Sequence, residues 1–555
     1  MVIFRSSFPD SIIPADADVY SFLIEGTKCA QAPKKDKVAL IDATTGESRT
    51  FGQLVERIEL FAAGLVKNYN FKPGDVVLVF SPNHIDYATV LFAVSRQGGI
   101  TTTANPTYTV PELTYQLKDS GATIVNTVPD SLPTAMSACK EAGIPDARIL
   151  LLGDSWAGAQ KRIQDVFSTQ IPPRYVYTRE QVWNQPCYLV YSSGTTGRAK
   201  GVELTHRNIV ANVIQQYDME KMYLDWSNDR WVGVLPFYHI YGLVRVLHDA
   251  TYRTIPLLIV PKFDLANFCS LVQKYRITVA ALVPPIILRL AKDPIVDQYD
   301  LSSIRYIYSG AAPLSKELTL EFKVGTITWQ TGYPTSWGLS ETSPTATITP
   351  MDCIVPGASG KLIPSVEIKI VHPETGIELD YDQEGEIWHR GPNTMRGYWN
   401  NTKATRESID NEGWFRTGDI GYIAANGHIY VVDRLKELIK YNGLQVAPAE
   451  LEALLISHPA IADAAVIPFP DAAAGELPRA FVVAKAGKHT PTLAADLFKF
   501  VDDQVAPHKK LRGGICFVDA IEKSPSGKIL RRLLRDNPGK GLIPHPTSRG
   551  GGARL

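Results

Sequence analysis

The sequence predicts an α/β fold over a large N-terminal region, followed by a small α+β domain. Three observations carry this. Helical and strand-like hydrophobic patterns alternate from about residue 50. Several strand-like runs are apolar throughout, as in sheets covered on both faces. A charged cluster, Asp433-Arg434-Leu435-Lys436-Glu437, then separates these elements from a second, shorter set. At 555 residues the chain is also too long for one compact core, so two or more domains are expected.

Residues 51–65 carry apolar side chains at helical spacing, 75–80 read as a buried strand, and Tyr87–Arg96 as a helix. The runs 231–235, 255–260 and 279–283 read as buried strands. Between the last two lies a helical face beginning at Leu265, with Asp264 placed to cap it. The Gly/Pro-rich stretch from Val355 to Pro364 opens a region of shorter strands, including 366–371 and Gly385–Arg390. Past the charged cluster, Pro448–Ser457 and 493–504 read as helices, and 464–467, 480–484 and 516–518 as strands. That makes a domain of roughly 120 residues, an ordinary size.

Charge and composition exclude some classes. Basic and acidic residues number 57 each, so no electrostatic footprint for nucleic acid is present. The six cysteines lack C-x-x-C or zinc spacing, which favours free thiols in a reducing compartment. No signal-peptide pattern or membrane-length apolar run occurs, and a soluble intracellular protein is expected. The chain ends in Ala553-Arg554-Leu555 on a glycine-rich tail, in the small–basic–leucine style of a peroxisomal address. Peroxisomal localisation and an import receptor as partner are therefore expected.

Chemistry concentrates in four segments. Tyr191-Ser192-Ser193-Gly194-Thr195-Thr196-Gly197-Arg198-Ala199-Lys200-Gly201 lies between two strand-like runs. Its glycines let backbone N–H groups approach an anion and its hydroxyls add donors, although it lacks Walker spacing. Ser336-Trp337-Gly338-Leu339-Ser340-Glu341-Thr342 offers an aromatic face for a base and a carboxylate for Mg²⁺. Gly413 to Gly421 places Asp419 in a glycine-flanked turn after a strand, as an acceptor for ribose hydroxyls. Ser524-Pro525-Ser526-Gly527-Lys528 is a turn before a helix, and its lysine can reach a developing phosphate charge.

Together with PFYHIYGL, SGAAPL and VDRLKELIKYNGLQVAPAELE, these segments resemble, in order, the motifs of the adenylate-forming (AMP-binding) enzymes. The resemblance is greatest to the 4-coumarate–CoA ligase, luciferase and acyl-CoA synthetase group, and it runs from Ile3 to about Arg532. It implies an N-terminal domain (1–433) of two α/β subdomains plus a distorted β-barrel, a mobile lid (434–535) and a flexible tail (536–555). It also implies an ATP-dependent acid–thiol ligase for an aryl or medium-chain acid, using Mg²⁺ and CoA. By this resemblance Ser192, Ser193, Gly194, Thr195, Thr196, Gly197 and Lys200 cradle phosphates, Trp337 lies against adenine, and Thr342 also contacts the nucleotide. Glu341 serves Mg²⁺, and Asp419 and Arg434 take the ribose. Lys528 bridges carboxylate and α-phosphate, His239 stands beside the carboxylate and CoA tunnel, Lys440 and Gln445 assist adenylation, and Lys436 is the hinge. Tyr241, Ser309, Gly310, Ala311, Ala312, Pro313, Ser336 and Gly338 line the acyl pocket.

Three departures stand out: Ala199 where relatives carry proline, Asn442 where lysine is common, and Thr335-Ser336 where relatives read Gln-Gly. Serine at 336 should narrow the pocket or add a hydroxyl. No carrier domain follows Arg532, so free CoA is the expected acceptor. A luciferase-like oxygenase and a nucleotide-binding pseudoenzyme or scaffold are the alternatives.

Overall fold

The structure, a computed structural model, describes residues 2–26, 35–154, 158–192, 199–310, 334–442, 444–485, 490–524, 527–536 and 541–546. Ser193 to Gly197, Ala311 to Pro313 and the terminal tripeptide lie outside them.

Five sheets form among the described residues. Seven strands, in the order Gly397–Tyr398, Lys200–Thr205, Pro186–Ser192, Ile100–Ala104, Val76–Phe80, Ala122–Thr127 and Ile149–Leu151, make one α/β layer. Val76–Phe80 is buried at every position, as its unbroken apolar run requires. The second α/β sheet orders Tyr306–Ser309, Val279–Leu282, Trp231–Gly233, Leu257–Ile259, Val38–Asp42 and Ser48–Thr50. Its first five strands are parallel, so the C-terminal ends of Trp231–Gly233, Val279–Leu282 and Tyr306–Ser309 open on one edge.

A six-stranded antiparallel sheet, built on Glu367–Val371, Gly385–Arg390, Phe415–Ile423 and Ile429–Arg434, forms the curled half-barrel. The small C-terminal sheet pairs Ile461–Asp471 with Gly475–Ala484 and adds the Ile439–Tyr441/Leu444–Val446 hairpin and Ile515–Phe517. Leu451, Leu455, Leu497 and Val501 from its two helices pack on Val466 and Val482 in a core of their own.

Local signals explain several boundaries. Helix Phe51–Tyr69 starts at a Thr50 capping box and ends at Asn70 in the left-handed conformation. The Asp264 side chain accepts the Asn267 N–H at 2.9 Å, so helix Leu265–Tyr275 begins where the sequence places it. No helix among the described residues is long and apolar enough to cross a membrane.

Candidate active site

The two α/β sheets, the half-barrel and the small domain border one cavity of about 2150 Å³. Its wall includes Ser192, Lys200, His239, Trp337, Glu341 and Lys528, residues from distant parts of the chain.

Ser192 and Lys200 face each other as the last register pair of two antiparallel strands. The exit strand is pinned from outside. Tyr115 donates its hydroxyl to the Ala199 carbonyl at 3.1 Å, and the Trp399 N–H donates to the Gly201 carbonyl at 2.8 Å. Lys200 Nζ sits 4.2 Å from the Tyr398 ring centroid, held over the π face. A strand, not a helix, starts at Lys200, so this is no Walker loop.

Tyr398 also donates to Glu341 Oε1 at 2.9 Å. Burial and that carboxylate raise the phenol well above its ordinary range, so it remains a donor. Among the described residues no group of three His, Cys, Asp or Glu side chains could hold a metal ion. One fixed carboxylate facing a cavity fits Mg²⁺, which keeps waters and takes its other ligands from substrate phosphates.

Trp337 lies in strand Ser336–Gly338 and donates its indole N–H to Asp419 Oδ2 at 2.8 Å. Asp419 Oδ1 is 3.3 Å from Arg434 Nε, its cross-strand partner. The expected turn around Asp419 is instead part of continuous strand Phe415–Ile423. Gly418, at φ 71°, absorbs the local distortion there, and its carbonyl accepts the Leu435 N–H. Thr342 is off the cavity wall in this arrangement. It is fully buried, and its hydroxyl accepts the Leu339 N–H and donates to the Pro344 carbonyl, holding the turn that presents Glu341.

Lys528 reaches the cavity from the small domain on a tight turn. Ser524 N–H donates to the Lys528 carbonyl at 2.8 Å, Lys528 N–H donates to Ser524 Oγ at 3.1 Å, and helix Arg531–Asp536 follows. Gly527 has φ 81°, and a Cβ there would lie 3.2 Å from Val283. Burial first, then Arg434, lowers the Lys528 ammonium to about 8, against the pull of Glu437 and Asp419.

His239 is lowered to about 4 by burial and then by the Lys528 charge. Its Nδ1 accepts the Tyr241 N–H at 3.3 Å, so the neutral ring carries its proton on Nε2. Asn83, missed in the sequence, stitches the preceding loop. It accepts the Phe237 N–H at 2.7 Å and donates to the Gly233 and Leu235 carbonyls.

Tyr241 and Ser336 are on the cavity wall, and Gly310, just off it, packs against both. A Cβ on Gly310 would lie 2.9 Å from Tyr241 Cζ and Oη and 3.0 Å from Ser336 Oγ. Ser336 Oγ donates to the Ser309 carbonyl at 3.4 Å, at the limit of a hydrogen bond. Ser309 is buried behind it, and Gly338 has no room for a Cβ, which would fall 1.8 Å from the Pro344 carbonyl oxygen. Lys436 is exposed on the rim, in the turn after Arg434. Lys440 and Gln445 face one another across the Ile439–Tyr441/Leu444–Val446 hairpin, exposed and off the cavity wall. The site therefore joins cations, one fixed carboxylate, an aromatic face and a neutral histidine along one continuous space. That set suits a polyanion bearing a base.

The AMP-binding enzyme family matches residues 27–399, and the AMP-binding enzyme C-terminal domain matches 450–528. The chain is 39% identical to 4-coumarate–CoA ligase 5 of Oryza sativa subsp. japonica, covering 97% of this chain and 98% of that protein. It is 40% identical to 4-coumarate–CoA ligase 1 of Petroselinum crispum, covering 98% of each. Among solved structures, ATP-bound MatB from Rhodopseudomonas palustris superposes with a TM-score of 0.82 at 28% identity, over 94% of this chain and 98% of that one. An anthranilate–CoA ligase with anthranoyl-AMP has a TM-score of 0.84 at 23% identity, over 94% and 98%, a likeness of fold. With both its large and its small domain matched in order, the chain belongs to the AMP-binding enzyme family.

Proposed function

We propose that this protein is an AMP-forming acid–thiol ligase that activates an aryl or medium-chain carboxylic acid with ATP and transfers it to CoA. The observation that carries the reading is Lys528, set by the small domain into the same cavity as Lys200, Trp337 and Glu341. The names of the 4-coumarate–CoA ligase relatives support the acid–thiol class.

In the first step a carboxylate oxygen attacks the α-phosphorus and pyrophosphate leaves, giving an acyl-adenylate. In the second, the CoA sulfur attacks the acyl carbon and AMP leaves. Ser192 to Lys200 would hold the β- and γ-phosphates, Trp337 the adenine, and Asp419 with Arg434 the ribose hydroxyls. Glu341 would hold Mg²⁺, which would neutralise phosphate charge. Lys528 would bridge the carboxylate and α-phosphate, adding positive charge where it develops. His239, neutral at pH 7, would orient the carboxylate as a hydrogen-bond donor rather than as a cation. Tyr241, Ser309, Gly310, Ser336 and Gly338 would bound the acyl group. The lid, taken as 434–535, would turn about Lys436 between the steps. Lys440 and Gln445 would assist adenylation beside Lys528 on the same lid, although of the three only Lys528 borders the cavity.

Incubation with Mg·ATP, CoA and pooled cinnamic, phenylacetic, benzoic and C6–C16 fatty acids, read by mass spectrometry, tests this. Acyl-CoA with AMP is the expected product. Acyl-AMP without thioester would remove CoA as acceptor, and neither product would sink the ligase reading. Peroxisomal delivery rests on Ala553-Arg554-Leu555 alone. A fluorescent protein carrying residues 536–555 that stays outside peroxisomes would refute it.

A further inference from the structure

Behind the acyl end of the cavity lies a closed ring of four buried charges. Arg245, Glu220, Asp249 and Arg253 are 2%, 1%, 0% and 4% exposed. Each arginine touches both acids: Arg245 at 2.6 Å from Glu220 and 2.5 Å from Asp249, Arg253 at 3.1 Å and 2.7 Å. The Arg245–Glu220 contact is bidentate, through Nη1–Oε2 and Nη2–Oε1. Such rings rarely stabilise a fold beyond what packed apolar side chains of the same volume would give, because each charge must leave water. Stability alone is therefore a weak account of the ring, and its neighbours supply another.

Arg245 belongs to the π-helix Tyr241–His248, whose first residue is the pocket tyrosine. Wide π-turns are uncommon and recur at functional sites. The Arg245 guanidinium carbon also lies 4.3 Å from the Tyr308 ring centroid. Tyr308 directly precedes Ser309 and Gly310 at the end of strand Tyr306–Ser309. One guanidinium thus braces both walls that meet at the Gly310–Tyr241 contact. Glu220, the last residue of helix His206–Glu220, ties that brace to a third element.

We infer that the Arg245–Glu220–Asp249–Arg253 ring is a positioning device that sets the spacing of Tyr241 and Gly310, and so determines which acids the pocket accepts. This rests on the ligase reading above. None of the four side chains borders the cavity, so none is a catalytic residue.

Two variants test it. Arg245→Met/Glu220→Gln removes one charge of each sign and leaves the Arg253–Asp249 pair neutral. Arg245→Lys keeps the charge but not the planar fork. For each, kcat/KM is measured over benzoic, cinnamic, 4-hydroxycinnamic and longer fatty acids, beside KM for ATP. The ratio between the widest and narrowest acid should shift about tenfold in the double variant and less in Arg245→Lys, while KM for ATP moves by less than about twofold. A folded variant that keeps the wild-type ranking and ratios, whatever its loss of Tm, overturns the inference. Failure of both variants to fold would make the ring a stability element and overturn it equally. No thioester from the wild-type chain on any acid would instead refute the ligase reading itself.

Discussion

Lys528 carries the sharpest prediction, because its environment gives it a titration inside the working pH range. A free lysine titrates near about 10.4. Burial and the Arg434 charge bring Lys528 to about 8. If the ammonium must be charged when the acid attacks the α-phosphate, kcat/KM for adenylation should fall above pH 8, reaching about one tenth by pH 9. The limb in kcat should lie higher, since bound phosphates favour the charged amine. ATP–pyrophosphate exchange without CoA is the assay, because no thiol then titrates in the same range. Lys528→Arg should abolish the alkaline limb, a guanidinium being charged throughout, at a lower plateau. Lys528→Ala should cost about 10²–10³ in rate, as for the loss of one charge-stabilising donor. An unchanged limb in Lys528→Arg would refute the assignment. Stability moves in the opposite sense. Between pH 8 and about 10.4 the unfolded chain binds the proton that the folded chain has released, so stability rises with pH across that window. Below pH 8 the full cost of the buried charge applies, and there Lys528→Ala should raise Tm.

Three further outcomes follow from particular contacts. Gly310→Ala places a methyl 2.9 Å from the Tyr241 ring and 3.0 Å from Ser336 Oγ, so the wall must give. Steady-state kinetics should show kcat/KM falling about 10- to 100-fold for wide aryl acids and little for narrow ones, and equal losses would take Gly310 out of the pocket. Ser336→Gly should do the reverse, raising relative kcat/KM for bulky aryl acids; an unchanged series would show that the hydroxyl does not limit the pocket. Tyr398→Phe deletes the 2.9 Å hydrogen bond that orients Glu341. The Mg²⁺ concentration for half-maximal rate should rise about tenfold, within the range for one hydrogen bond to a charged group, and an unshifted metal titration would separate Glu341 from the metal.

Much of the fold is legible in the sequence because its signals are local. Asp264 sits three residues before the N–H it caps, and Tyr87–Arg96 and Pro448–Ser457 are helices over the residues their patterns mark. The turn bearing Lys528 is legible for the same reason, being closed by Ser524, four residues away. Asn442 reads in the sequence only as a missing positive charge. In the structure it has φ 48° at a hairpin turn, a conformation asparagine tolerates better than most residues.

What the sequence hides are contacts between distant residues. Trp337 and Asp419 share a hydrogen bond across 82 positions, Tyr398 and Glu341 across 57. No periodicity marks Tyr398, which lies in the two-residue strand Gly397–Tyr398. The charge ring shows the limit most plainly. Its Arg245–Asp249 and Asp249–Arg253 pairs are i,i+4 contacts that a helical reading could find. Glu220, which closes the ring, is 25 positions from Arg245, at the end of another helix. Without Glu220 those pairs would read as a solvated helix face. With it they form a buried ring on the helix that starts at Tyr241, the positioning device inferred above. The same limit governs Lys440 and Gln445. Their pairing across a hairpin is a local matter, but whether that hairpin borders the cavity depends on how a whole domain is docked, and no run of residues encodes that.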